Sequence, residues 1–197
     1  MKIAVFASHN GSDLQAIIDA CQNGMLNATV EAVISNNSDS KALERAHKAN
    51  ISSYHISAKT CGNESNTDAP ILYILQKHQI DLVFLAGYLK KIGDQTLRQY
   101  HNRIFNIHPA LLPKYGGKGM YGMQVHAAVI HAGESTSGVT IHRVNEEYDA
   151  GEIVAQKMIP VSKSDTPESL AKKVLQYEHL FLVDFLKDIV NGSIPLG

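Results

Sequence analysis

A chain of 197 residues with 44% hydrophobic content can bury one substantial core, and the expected organisation is one domain over 1–197. Its 18 Lys and Arg against 19 Asp and Glu leave a formal net charge of −1, which provides no basic footprint for a polyanion and excludes nucleic acid as a main partner. The 2 cysteines, Cys21 and Cys61, lie far apart and outside any C-x-x-C spacing, which excludes a disulfide framework, a thiolate zinc site and a redox pair.

The first apolar run, 3–7, is closed by Ser8, His9, Asn10 and Gly11, and Leu14, Ile17, Ile18 and Cys21 then recur at helical spacing. This predicts strand, turn and helix. The run stops after about six residues, short of a secretory signal, and no apolar stretch approaches the ~20 residues that span a bilayer. A cytoplasmic protein with no membrane partner is expected. A second strand is predicted over 30–34, a capped helix over 41–49, and a weakly alternating third strand over 53–57. Residues 58–67 are polar and turn-rich and read as a loop, followed by a helix over 68–78 that carries Pro70 in its first turn. Residues 82–86 and 104–107 read as fully apolar strands flanking a short helix near 94–100. Runs without alternation suit strands covered on both faces, so the fold class expected is α/β, a doubly wound, mostly parallel sheet. A helix over 123–131 leads to strands over 138–144 and 152–159, an antiparallel pair, and a last helix begins at the Thr166-Pro167-Glu168 cap.

Three strand ends carry unusual chemistry. Ser8 to Asp13 joins a strand to a helix start, where glycine and unpaired N–H groups suit an anion. The same segment also reads as an ordinary capped turn, and the Asp13 carboxylate argues against phosphate. The loop lacks G-x-G-x-x-G and the P-loop lysine, so neither a dinucleotide nor a nucleoside triphosphate is indicated. Asn106 and His108 lie one pleat repeat apart on the same side of their strand, positioned either to address one ligand atom or to make structural hydrogen bonds. Asp149, in the turn after the strand carrying His142, would hold His108 protonated if the fold brings them together. Otherwise it is good turn chemistry. His126 and His131 are five residues apart and no H-E-x-x-H occurs, so no metal is expected. The absence of G-x-S-x-G, and of a histidine near Cys61, argues against covalent catalysis. The glycine-rich segment 115–122, with Lys118, reads equally as a lid or as a flexible surface loop.

With these residues in view, the chain resembles the phosphoribosylglycinamide formyltransferase family of folate-dependent enzymes over essentially its whole length. The resemblance rests on AVFASHNGSDLQAIIDA at the start, LAGYLKKIG over 85–93, NIHPALLPKYGG over 106–117, SGVTIHRVNEEYDAGEIVAQ over 137–156, and QYEH over 176–179. It implies Asn106, His108 and Asp149 as the catalytic set and 10-formyltetrahydrofolate as the co-substrate, without a metal. It further implies that Gly11, Ser12 and Asp13 hold the phosphate of glycinamide ribonucleotide, that Gly87 lies close to that substrate and that Glu178 contacts its ribose. Tyr88, Leu89, Lys90 and Ile92, with Asn106, would form the pterin slot. A monomer or homodimer is expected. A different acceptor amine, hydrolysis of the formyl-folate, and a non-catalytic folate- or nucleotide-binding module remain as alternatives. The chain departs from the family's usual pattern at Asp13, an asparagine elsewhere, at His9, often glycine, and at Lys90, commonly arginine. Glu64 stands at the count where the family often has an arginine.

Overall fold

The computed structural model describes residues 1–196. In chain order the elements are β1 (Lys2–Phe6), α1 (Ser12–Gln22), β2 (Thr29–Ser35), α2 (Lys41–Lys48), β3 (Ser52–His55), α3 (Ala58–Cys61), α4 (Asp68–Lys77), β4 (Leu82–Leu85), α5 (Asp94–Gln99), β5 (Ile104–His108), α6 (Met123–His131), β6 (Thr136–Arg143), β7 (Ile153–Pro160) and α7 (Pro167–Val190). The strands form one 7-stranded sheet in the order β3-β2-β1-β4-β5-β6-β7. The first five run parallel, whereas β6 is antiparallel to both β5 and β7. The expected α/β class and the antiparallel terminal pair are both present.

Period-2 geometry sorts the central strands onto two cores. Ile3, Val5, Leu82, Phe84, Phe105 and Ile107 pack with α1 and α7 on one face, while Ala4, Phe6, Val83, Leu85 and Ile104 pack with α4 on the other. Phe185 of α7 meets Phe84 and Phe105 edge to face, with ring centroids 6.4 and 5.3 Å apart. Burial on both sides explains why these strands read as continuous apolar runs. The chain winds outward from β1 to β3, then returns to β4 on the other side of β1. The crevice beyond the carboxyl ends of β1 and β4 is therefore a topological switch point, where open parallel sheets place ligands.

Residues 58–67, read from sequence as loop, instead contain α3 and a 3-10 turn over Ser65–Thr67. Ser57 and Thr60 form a reciprocal capping box: the Ser57 Oγ accepts from the Thr60 N–H at 3.3 Å, and the Thr60 Oγ1 accepts from the Ser57 N–H at 2.9 Å. The polar residues that suggested a loop are the ones that satisfy this short helix. α5 is capped from a distance. The buried carboxylate of Asp68 accepts the N–H of Gln95 at 2.8 Å, the N–H of Thr96 at 3.2 Å and the hydroxyl of Thr96 at 2.6 Å.

Candidate active site

β5 ends with Asn106 and His108 on one side, because Phe105 and Ile107 are committed to the core on the other. The antiparallel register places His142 of β6 opposite Asn106, and Thr140 opposite His108. Asp149 reaches this corner from the β6–β7 connection, at a φ of 55°. Gly151 lets that connection fold back closely, since a Cβ there would lie 1.8 Å from the Arg143 carbonyl oxygen.

The four side chains form one cluster. The Asn106 amide nitrogen lies 3.0 Å from His142 Nε2 and donates to Asp149 Oδ1 at 3.4 Å. Asp149 Oδ2 stands 3.6 Å from His108 Nδ1 and accepts the Gly117 N–H at 2.9 Å. His108 donates from Nε2 to the Tyr115 carbonyl at 2.8 Å, and His142 donates from Nδ1 to the Arg143 carbonyl at 2.8 Å. His142 Nε2 is thus an acceptor for the Asn106 amide while the ring is neutral. It can donate to Asp149, 3.5 Å away, only when charged. The segment 115–117 of the glycine-rich stretch is therefore bonded to both His108 and Asp149.

Burial dominates the His108 imidazole and pushes its pKa below the ordinary value, although the Asp149 carboxylate and the Tyr115 carbonyl pull it upward; His142 lowers it further. Asp149 thus acts on His108 in the expected direction, but burial outweighs it. For Asp149 itself burial favours the neutral acid. The proximity of His142, the charge of His108 and the Gly117 N–H outweigh it and hold the carboxyl below the usual range.

A cavity of ~950 Å³ opens on this cluster and extends to the N-terminus of α1. Gly11, Ser12, Asp13, Gly87, Leu89, Asn106, His108, Asp149 and Glu178 all border it, as does Tyr88. No side chain caps α1, so N–H groups of its first turn remain unpaired at the cavity wall. Gly11 is glycine for a packing reason as well as for its φ of 67°: a Cβ would lie 2.8 Å from Ala42 Cβ. Gly87, with φ 73°, has no atom within 4 Å of its Cβ position and leaves the cavity wall open there. Asp13 and Glu178 are both buried. Burial pushes Asp13 up to about 6 and Glu178 well above the usual range, with the Asp13 charge adding to the second shift.

Lys90 and Ile92 fall outside this cavity and border a smaller cleft of ~50 Å³ behind Asn106 and Asp149, together with Leu85, Val144 and Tyr148. Tyr88 borders both the cavity and this cleft. Its ring is buried edge to face on Phe6, at a centroid distance of 5.3 Å, because the strand end turns it into the second core. Lys90 pairs with Glu64 at 3.1 Å, so two positions that depart from the family pattern answer each other across the surface.

Two residues of the site escaped the sequence reading. The sequence marks His142 only as a neighbour of the Asp149 turn; the available signal is Thr140 and His142 alternating with Val139 and Ile141 along β6. His126 is buried on the cavity wall with Nδ1 unpaired, and was weighed only as a metal ligand. Among the described residues, no group of three or more His, Cys, Asp or Glu side chains converges as a metal site.

The formyl transferase family description matches residues 1–186. A chloroplastic phosphoribosylglycinamide formyltransferase of Arabidopsis thaliana is 43% identical over 98% of this chain, which spans only 66% of that relative's length. The phosphoribosylglycinamide formyltransferase of Escherichia coli K12 is 35% identical over 100% of this chain and 90% of its own. The crystal structure of glycinamide ribonucleotide transformylase 1 from Symbiobacterium toebii superposes with a TM-score of 0.91 at 32% identity, over 100% of this chain and 91% of that one. The chain belongs to the formyl transferase family, and within it to the phosphoribosylglycinamide formyltransferases.

Proposed function

We propose that this chain transfers a formyl group from 10-formyltetrahydrofolate to the amine of glycinamide ribonucleotide, as its family membership implies. The observation that carries the reading is the meeting of Asn106, His108 and Asp149 at one end of a cavity whose other end is an uncapped helix N-terminus. The helix end supplies N–H donors and a partial positive charge for the acceptor's phosphate. Gly87, open toward the cavity, lets the acceptor run close to the backbone on its way to β5.

The smaller cleft suits a flat heterocycle chemically, with Leu85, Ile92 and Val144 as apolar walls and Asn106, His142 and Asp149 along a polar edge. At ~50 Å³ it is narrow for a bicyclic ring, so this reading requires the wall that includes Tyr148 to open on binding. Bound there, the folate supplies an electrophilic formyl carbon whose oxygen gains negative charge as the amine attacks. His108 and the Asn106 amide donate to that oxygen once they release their resting partners, the Tyr115 carbonyl and the His142–Asp149 pair. Asp149 accepts the proton of the attacking amine, and His108 Nδ1, 3.6 Å away, is the next site for it; the adduct then collapses as the bond between the formyl carbon and the folate nitrogen breaks, and that nitrogen leaves with the relayed proton.

Every residue in this account comes from one chain, and the two small molecules are its proposed partners. Among the described residues no helix is long and apolar enough to cross a membrane, and a cytoplasmic location belongs to the same proposal. A coupled assay following loss of formyl-folate with authentic glycinamide ribonucleotide tests the reading. Turnover that depends on the acceptor supports it. Absence of turnover ends it, and formate released without acceptor replaces it with hydrolysis.

A further inference from the structure

The acceptor end of the cavity holds a group the reaction account does not use. Asp13, in the first turn of α1, and Glu178, from α7, are 8% and 7% exposed and border the same cavity. Asp13 Oδ1 has no hydrogen-bond partner. His179 Nε2 stands 3.3 Å from it, but that nitrogen too makes no aligned hydrogen bond. Burial also lowers the His179 pKa, which weakens any compensating charge from the ring.

Apart from His179, the surrounding groups offer the two acids little neutralising charge. From α7 come Glu178 and His179; from the β1–α1 turn comes His9, exposed at the cavity mouth. Arg45 of α2 is committed elsewhere, donating from Nε to the Asn10 carbonyl at 2.8 Å and from Nη1 to Gln15 Oε1 at 3.0 Å. Lys118, exposed on the glycine-rich segment, is the single lysine or arginine bordering the cavity among the described residues. Two buried carboxyls without a nearby cation do not both ionise cheaply, and their protons are held by the pair rather than by either member.

We infer that Asp13 and Glu178 act as one proton-holding acid pair in the acceptor pocket, so that the phosphomonoester end of the acceptor binds together with a proton. Asp13 is thereby a specificity-determining residue for the proposed reaction. The inference rests on that reading for the location of the phosphate. A dianion at the start of α1 opposes ionisation of the adjacent pair and draws one proton from solvent. The protonated carboxyl then offers a donor where an ionised one offers only repulsion. An asparagine at position 13, the residue usual in the family, provides a donor without a proton. The aspartate makes binding depend on pH.

The test is calorimetry of the full chain with ribose 5-phosphate as probe, in buffers of different ionisation enthalpy. Between about pH 7 and 8.5 a phosphomonoester, with its second pKa near ~6, is already a dianion, so linked protons belong to the protein. The wild type is expected to take up close to ~1 proton per ligand, with Kd weakening about tenfold per pH unit. Asp13→Asn is expected to take up much less, with Kd changing by less than about twofold per unit. Equal proton uptake in the two proteins, or none in the wild type, overturns the inference. A measurement without any variant guards against misfolding: the carboxyl carbon resonance of Asp13 should titrate at higher pH when ribose 5-phosphate is added, and an unmoved midpoint overturns the inference equally. Proton-linked binding without formylation leaves the acid pair standing and removes the proposed function. Formylation without proton linkage does the reverse.

Discussion

Asp149→Asn isolates the charge at the centre of the cluster while nearly preserving its shape. Asp149 and His108 are 3.6 Å apart with side chains 13% and 5% exposed, so an effective dielectric constant near ~20 gives an attraction of about 5 kcal/mol for the charged pair. If proton transfer passes through that pair, losing the attraction at the transition state lowers kcat by about 10³-fold, since each 1.4 kcal/mol is a factor of ten. An asparagine oxygen can still accept the Gly117 N–H, but an amide nitrogen in place of Oδ1 faces the Asn106 amide donor to donor. The expected outcome is a large fall in kcat, a KM for glycinamide ribonucleotide within about threefold of wild type, and a further downward shift of the His108 titration. Steady-state formyl transfer across pH, with His108 ring resonances followed by NMR, reads both effects. A rate within tenfold of wild type and an unshifted His108 would refute the proton route.

Other perturbations test the scaffold. Thr140 is fully buried, and its Oγ1 donates to the Ala110 carbonyl at 2.6 Å while accepting from the Leu112 N–H at 3.0 Å and Gln156 Nε2 at 2.9 Å. Thr140→Val strands these groups and should cost about 2–4 kcal/mol in urea unfolding at an unchanged m-value; a loss below about 1 kcal/mol would show that the segment after His108 relaxes freely. Asp68→Ala removes the remote cap of α5 and should destabilise by about 3 kcal/mol, with faster hydrogen exchange at Gln95 and Thr96; unchanged exchange at those amides contradicts the capping role. For Asp13 the folded pKa, about 6, lies above the ordinary 3.8, so the folded state binds the extra proton and stability falls as pH rises between these values. Removing the carboxyl removes that loss. Asp13→Asn should match wild type below about pH 4 and become increasingly more stable than wild type as pH rises toward neutrality in thermal melts, and parallel pH profiles would contradict the assignment.

The sheet was legible because its central strands are covered on both faces and stand out as short apolar runs between turn residues. Asn106 and His108 were legible as a pair because strand periodicity settles which side chains share a face. His142 was not, because its place beside Asn106 depends on an antiparallel register set 36 residues later in the chain. Distance in sequence also hid the Asp68 cap and the burial of the Tyr88 ring on Phe6. The helix over Ala58–Cys61 was missed for another reason: its capping pair, Ser57 and Thr60, has the composition of a loop until the hydrogen bonds are seen to be reciprocal. The sign of the His108 shift lay beyond sequence reasoning, since a neighbouring carboxylate can be guessed from a motif but the depth of burial opposing it cannot.

The bonds made by Tyr115 and Gly117 have a further consequence. Two backbone groups, a carbonyl and an amide two residues apart, bear on which of the two central side chains keeps a proton: the carbonyl favours a charged imidazole, and the amide favours a charged carboxylate. The Tyr115 side chain takes no part in either bond, and Gly117 has none. The φ of 94° at residue 117 strains any side chain placed there, and residue 115 holds a φ of 58°, so a peptide rotation in this segment would alter imidazole and carboxylate together.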